Sequence, residues 1–299
     1  MSPIGVLVLS HGTPAARGEV EAFYTKIRHG HAPTEAQLVD LVARYEAIGG
    51  LSPLAERTAL QVRGLEAQLA RRDPGTFLVA GGTKYASPSI EDGVEHLVAS
   101  GASTVVGLVL SPLNASTTTR EYHRRAEEAI ARRATYLPVW TWSDAPGFAT
   151  LVARRVRDAV ERCKATPTVV FTAHSLPVAV PGAEKYAAEL ASLAQSVATE
   201  SGLVDHLVCW QSAGRTNDEW LGPGLLEVLA SLDPESASDV VVCPVGFVSD
   251  HLEVLFDVDI EAARAAASRG ITLHRTSSLN DDGDFLAVLA TVVETVSPR

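Results

Sequence analysis

The chain has 299 residues, of which 46% are hydrophobic and 20% charged, and a formal net charge of -11. That length suits one large domain or two of ordinary size, and the composition suits a globular protein with a sizeable core. The acidic balance argues against nucleic acid as a partner, because phosphates would be repelled over most of the surface; it favours attraction of metal cations. Cys163, Cys209 and Cys243 are odd in number and far apart, with no C-x-x-C. A disulfide framework is therefore not expected, and an iron–sulfur cluster held by four thiolates of one chain is excluded. No basic region precedes the first apolar run and no run approaches the ~20 apolar residues of a membrane span, so a cytoplasmic protein without stable membrane insertion is expected.

Apolar runs rich in Val and Leu recur at 4–9, 77–80, 104–110, 168–173, 206–210 and 239–245. They do not alternate with polar residues, which is the pattern of parallel strands buried on both faces. Segments with helical periodicity lie between or after them at 54–72, 88–100, 118–133, 147–163, 183–201 and 257–269. Strand alternating with helix predicts an α/β protein with parallel sheets. Residues 1–145 and 146–299 each run through this alternation. Two similar doubly wound, Rossmann-like halves with a cleft between them follow, with "TWSDAPGF" at 141–148 as a hinge and the last helix packing back on the first half.

The halves echo one another. "VLVLSHGTP" spans 6–14 and "VVFTAHSLP" spans 169–177. Each sets a histidine, His11 or His174, at the carboxyl end of the first strand of its half, where open α/β sheets bind ligands. One such histidine is more often a hydrogen-bonded loop or core residue; two at matched positions favour a shared cleft. Downstream, "VGFVSDHLEVLFDVDIEAA" at 245–263 predicts a strand end, a cap at Ser249 or Asp250, and a helix on which Glu253, Asp257 and Glu261 fall at successive four-residue spacings on one face. A solvated acidic stripe near a helix N-terminus accounts for Glu253 alone. It accounts less well for a carboxylate row with no basic partner four residues away. Two imidazoles and a carboxylate suit a first-row divalent metal or acid–base chemistry. G-x-S-x-G, the P-loop pattern and a strand-anchored G-x-G-x-x-G are absent.

These features lie among longer motifs: "GTP" at 12–14, "RYEAIGGLSPL" at 44–54, "TKYASPSIEDGV" at 83–94, "STTTREYHRRA" at 116–126, "TAHSLP" at 172–177, "WQSAGRT" at 210–216, "EWLGP" at 219–223, the 245–262 segment and "SLNDD" at 278–282. Through them nearly the whole chain resembles the ferrochelatases, in particular the short coproporphyrin-type enzymes of Gram-positive bacteria. The resemblance implies a porphyrin cleft and insertion of Fe²⁺ into the ring with release of two protons, Fe²⁺ being a substrate and no prosthetic group or iron–sulfur cluster being needed. It implies His174 and Glu253 as catalytic residues and metal ligands, to which the matched strand-end histidine His11 adds a third metal ligand, and Asp257, Glu261 and Lys84 as an outer path for metal or protons. It places Arg28, Arg44, Tyr45, Ser52 and Tyr122 at the porphyrin's propionates or pocket wall. The implied partners are coproporphyrin III and a divalent metal, with transient contact to neighbouring enzymes of haem synthesis.

Three departures stand out. His11 occupies a position where these relatives usually carry Tyr, and a histidine there is reminiscent of small chelatases that load cobalt, nickel or iron into sirohydrochlorin. Tyr85 stands where relatives often carry His. "VPGAEKY" around 180–186 replaces an acidic, Pro-containing loop. The lip at 15–32 is polar, which favours a carboxylated ring such as coproporphyrin III. A chelatase re-specialised for Co²⁺, Ni²⁺ or another tetrapyrrole is the alternative, and a non-catalytic porphyrin or haem binder the third.

Overall fold

The computed structural model describes residues 2–298. In chain order the first half contains β1 (Ile4–Ser10), α1 (Val20–Ile27), α2 (Glu35–Ala47), α3 (Leu54–Arg72), β2 (Phe77–Thr83), α4 (Ile90–Ala99), β3 (Thr104–Val109), α5 (Thr117–Ile130) and β4 (Thr135–Val139). After α6 (Phe148–Val160) come β5 (Thr168–His174), α7 (Ala183–Ser201), β6 (Leu207–Gln211), α8 (Leu225–Ser231) and β7 (Asp239–Cys243). A π-helix (Glu253–Ala262), α9 (Ala263–Ala267), β8 (Thr272–Arg275) and α10 (Gly283–Val296) complete the chain. The two sheets have the strand orders β2-β1-β3-β4 and β6-β5-β7-β8, the same topology, and every pairing is parallel. β1 and β5 hold equivalent interior places, so the chain crosses from one side of each to the other at its carboxyl end.

All six expected strands are present. The two that periodicity did not reveal, β4 ("TYLPV") and β8 ("TLHR"), each lie at one edge of their sheet and are less buried than β2 and β6 at the opposite edges. An edge strand needs no continuous apolar run, and Pro138 is tolerated there. The 141–148 segment is no free hinge. Trp142 is buried, donates its indole N–H to Val109 at 2.9 Å and packs edge-on against Phe148 at 4.9 Å. Phe285 of α10 lies 5.9 Å from the same indole. α10 also runs along α3, where Gln68 donates to the Gly283 carbonyl at 2.9 Å and Arg72 pairs with Glu294 at 2.7 Å. One apolar core therefore runs from β1 and β3 through α6 and α10 to β5 and α7.

Close approach of backbones sets the helix–sheet spacing in the first half. A Cβ on Gly93 of α4 would stand 2.6 Å from the Gly81 carbonyl oxygen on β2 and 2.7 Å from a Leu7 methyl. Alanine is the better helix former by about 1 kcal/mol, but the backbone it meets cannot rotate away. Gly93→Ala is expected to destabilise the protein by roughly 1–3 kcal/mol, read as a lower urea midpoint; an unchanged midpoint would mean that α4 slides freely over β2.

Candidate active site

β5 carries His174 out of the second sheet as its last residue, and β1 delivers His11 immediately after its own last residue. Each ring uses Nδ1 locally. His174 Nδ1 contacts the Ser175 carbonyl, and His11 Nδ1 lies 3.1 Å from the Gly12 carbonyl. A carbonyl only accepts, so Nδ1 carries the proton in both neutral rings and Nε2 presents a bare lone pair. Tyr186, buried beneath the site, donates to the His174 carbonyl at 3.0 Å and fixes the strand end.

Glu253 opens the π-helix, and its Oε1 lies 3.6 Å from His174 Nε2. A carboxylate and a bare imidazole nitrogen are both acceptors, so this approach is favourable only with a cation between or beside them, either a proton or a metal ion. Burial pushes the Glu253 carboxyl up, but the imidazoles of His174, His251 and His11 and the Arg44 guanidinium outweigh that and hold it below its ordinary range. Desolvation by the surrounding protein pushes His11 down, opposed by the Gly12 carbonyl and Glu253. The His11 ring packs edge-on against Tyr85 at 4.9 Å and Phe23 at 5.9 Å.

The acidic row differs from the expected α-helix. Residues 253–262 wind as a π-helix, whose i→i+5 hydrogen bonds give somewhat more than four residues per turn, so four-residue spacing still keeps one face. The N-cap residue Leu252 makes no side-chain cap bond, and Ser249 and Asp250 do not cap it either. Ser249 accepts from Gln61 at 2.8 Å, and Asp250 is held by Ser278 at 2.7 Å and Asn280 at 2.8 Å. The row descends from half-buried Glu253 through buried Asp257 to exposed Glu261. It does have a basic partner, supplied by α2 rather than by its own helix: Arg44 lies 3.3 Å from Asp257 and 4.9 Å from the Phe256 ring centroid. Ser212 also donates to Asp257. Burial dominates there, opposed by Ser212 and Arg44, and the Asp257 carboxyl is pushed up to about 6.

Other expected residues fall elsewhere. Lys84 is buried and paired with Glu121, its ammonium 5.1 Å from the Tyr85 ring and 5.5 Å from the Tyr122 ring, on the His11 wall rather than along the acidic row, and its charge opposes protonation of His11. Tyr122 belongs to the apolar core under α4 and α5 rather than to a pocket wall. The Ser52 hydroxyl accepts from the Leu54 N–H at 3.3 Å, at the start of α3. Arg44 is engaged with Asp40 at 3.0 Å as well as Asp257, so its charge is already balanced by carboxylates. Tyr45 is buried, its phenol pushed up by burial against the Thr13 hydroxyl and pushed further up by Glu253. Arg28 ends α1, donating to the His31 carbonyl at 3.3 Å and lying over the Tyr24 ring at 5.6 Å. His11, His174 and Glu253 do not close into one compact ligand set. Among the described residues, their donor atoms do not all come within 4.8 Å of one another. His11 stands on the first half, and the His174–Glu253 pair on the second.

His251 is the residue that motif reading passed over. Its Nδ1 accepts the Val254 N–H at 3.2 Å, so its Nε2 carries the proton, the reverse of His11 and His174. Burial pushes it down and Glu253 pushes it up. The only signal in the sequence was a histidine two positions before Glu253. A cavity of about 650 Å³ adjoins His11, lined by Phe23, Thr58, Val62, Tyr85 and Pro88 of the first half.

A family model described as Ferrochelatase matches residues 3–296. The chain is 38% identical to a coproporphyrin III ferrochelatase of Geobacillus thermodenitrificans, over 97% of this chain and 95% of that protein. It is likewise 38% identical to a ferrochelatase of Herpetosiphon aurantiacus, over 96% of this chain and 97% of that protein. Among solved structures, SirB from Bacillus subtilis with Fe³⁺ superposes with a TM-score of 0.62 at 14% identity, covering 99% of this chain and 96% of that one. The sirohydrochlorin chelatase SirB from Bacillus subtilis subspecies spizizenii in complex with cobalt gives 0.58 at 14%, covering 98% and 95%. At that identity the two structures establish a common fold and nothing finer.

Proposed function

The chain belongs to the ferrochelatase family, and on that premise we propose that it inserts Fe²⁺ into coproporphyrin III to give Fe-coproporphyrin III in haem synthesis. The observation that carries this reading is the His174–Glu253 pair, an uncapped imidazole nitrogen 3.6 Å from a carboxylate at the mouth of an acidic row. Identity of 36–38% with coproporphyrin III ferrochelatases over nearly the whole chain weighs against a re-specialised ring or metal. A binder that no longer catalyses would not need the pair.

The chemistry follows from charge. A porphyrin holds two N–H protons inside its ring, and a divalent metal must displace both. His174 accepts a proton at Nε2, and Glu253 stabilises the imidazolium that forms. Asp257, poised near neutrality, passes protons outward to exposed Glu261. With His11 on the opposite half, a planar ring between the walls meets a nitrogen ligand on one face and the base on the other. Arg28 supplies a cation suited to the ring's propionates, and Tyr45, buried beside Thr13, a hydroxyl in the pocket wall. The three unpaired thiols suit a reducing cytoplasm, and no described helix is long and apolar enough to cross a membrane.

Anaerobic addition of Fe²⁺ to protein and coproporphyrin III, followed by absorption, tests this. Fast insertion there, with slower reaction on protoporphyrin IX and sirohydrochlorin, is expected; activity confined to another ring overturns the substrate. His11→Tyr is expected to keep Fe²⁺ insertion and to lower the rate with Co²⁺ and Ni²⁺ relative to Fe²⁺ by about tenfold, because a hard phenol oxygen replaces the softer imidazole. Metal competition reads this ratio, and an unchanged profile removes His11 from the ligand set.

A further inference from the structure

Three donor groups meet at the opposite end of the second sheet. β5 and β7 pair Thr168 with Val240, so Asp239 is level with residue 167, seven strand residues before His174. At ~3.3 Å per residue the two ends are roughly 20 Å apart. Asp239 opens β7 and is 4% exposed, covered yet shallow. His274 lies diagonally across on β8, since Asp239 pairs with Thr272, and its Nε2 is 2.9 Å from Asp239 Oδ1. The chain leaving α6 brings Cys163 over the same place, and it is the one cysteine of the three that is not fully buried. The Cys163 sulfur, an Asp239 oxygen and a His274 nitrogen all lie within 4.8 Å of one another. Among the described residues no other His, Cys, Asp and Glu side chains form such a group.

We propose that Cys163, Asp239 and His274 form a Zn²⁺ site, separate from the insertion site, with water in the fourth position. The donors decide the metal. A thiolate excludes Mg²⁺ and Ca²⁺, which take oxygen, while Zn²⁺ accepts sulfur, nitrogen and oxygen together in a tetrahedron. Zn–S of about 2.3 Å and Zn–N or Zn–O of about 2.0–2.1 Å place tetrahedral ligands roughly 3.5 Å apart, so the three need close by only about 1 Å. The Cys163 thiol releases one proton to solvent, His274 moves its ring proton from Nε2 to Nδ1, and Asp239 binds as the carboxylate. The ion ties the end of α6 to β7 and β8.

The test uses the full chain, stripped by chelator and free of porphyrin, titrated with Co²⁺. A thiolate-to-cobalt charge-transfer absorption is expected to saturate at one equivalent, to be displaced by Zn²⁺, and to be lost in Cys163→Ser and in His274→Gln. It is expected to persist in His174→Ala, which separates it from metal at the insertion site. Zn²⁺ is also expected to raise the melting temperature of the wild type and not of Cys163→Ser. If Cys163→Ser does not fold, Asp239→Asn takes its place in both measurements. Absence of the absorption in the wild type, its persistence in Cys163→Ser, or its loss in His174→Ala each overturns the site.

Discussion

His174→Ala is expected to lower the rate of Fe²⁺ insertion by about 10²–10⁴-fold, the range that removal of a positioned acid–base group produces, while the protein stays folded. The fold tolerates the change because little depends on this ring. It is half-exposed, its one close polar contact is to the carbonyl next along the chain, and the strand end is held through the backbone carbonyl to Tyr186. The chemistry does not tolerate it, because the lone pair facing Glu253 is the one that either takes the pyrrole proton or holds the metal. Added imidazole is expected to restore part of the rate, since the truncation leaves a ring-sized gap beside Glu253. Anaerobic absorption kinetics with circular dichroism check both halves of the statement. Turnover near the wild-type level by a folded variant would remove His174 from the mechanism.

Much of this arrangement was legible in the sequence, for physical reasons. Strands buried on both faces must be continuously apolar, so β1, β3, β5 and β7 announce themselves, and the repeated strand-His pattern revealed the duplication. β2 and β6 lie at sheet edges yet carry apolar runs of their own, whereas β4 and β8, the opposite and least buried edges, carry none and were invisible. The four-residue carboxylate spacing read correctly as one face but wrongly as an α-helix, because α and π turns both nearly close after four residues. Arg44 was legible as a charge but not as the partner of Asp257, a contact between residues 213 apart in the chain. Tyr122 shows a different case: its motif pointed to the pocket wall, and its ring sits in the α4–α5 core with the Lys84 ammonium 5.5 Å from it. His251 carried no spacing signal at all, because only the bend before the π-helix turns it toward Glu253.

Glu253→Gln separates charge from shape at the centre of the site. The amide keeps the volume, and the contact that Gln211 makes to residue 253 is to the backbone carbonyl, at 3.4 Å, so it survives the substitution. What is lost is the one negative charge that faces three imidazoles, balancing an imidazolium at His174 and an arriving dication alike. Two opposite charges about 4 Å apart near a protein surface interact by roughly 4 kcal/mol, and solvent entering the half-exposed site reduces that. A fall of about 10²-fold in kcat/KM for Fe²⁺ is therefore expected, with a raised KM for the metal as well as a lower kcat. Glu253→Asp keeps the charge but withdraws it by one methylene, and is expected to fall between the two. Asp257→Asn, one turn further along the row, is expected to lower kcat while leaving the KM for metal nearly unchanged if the row carries protons, and to raise that KM if it carries metal. Steady-state kinetics with Fe²⁺ varied at saturating porphyrin read all three variants. Wild-type kinetics in Glu253→Gln would mean that the proton and the metal both pass the ring without this carboxylate, and the pairing with His174 would then be structural.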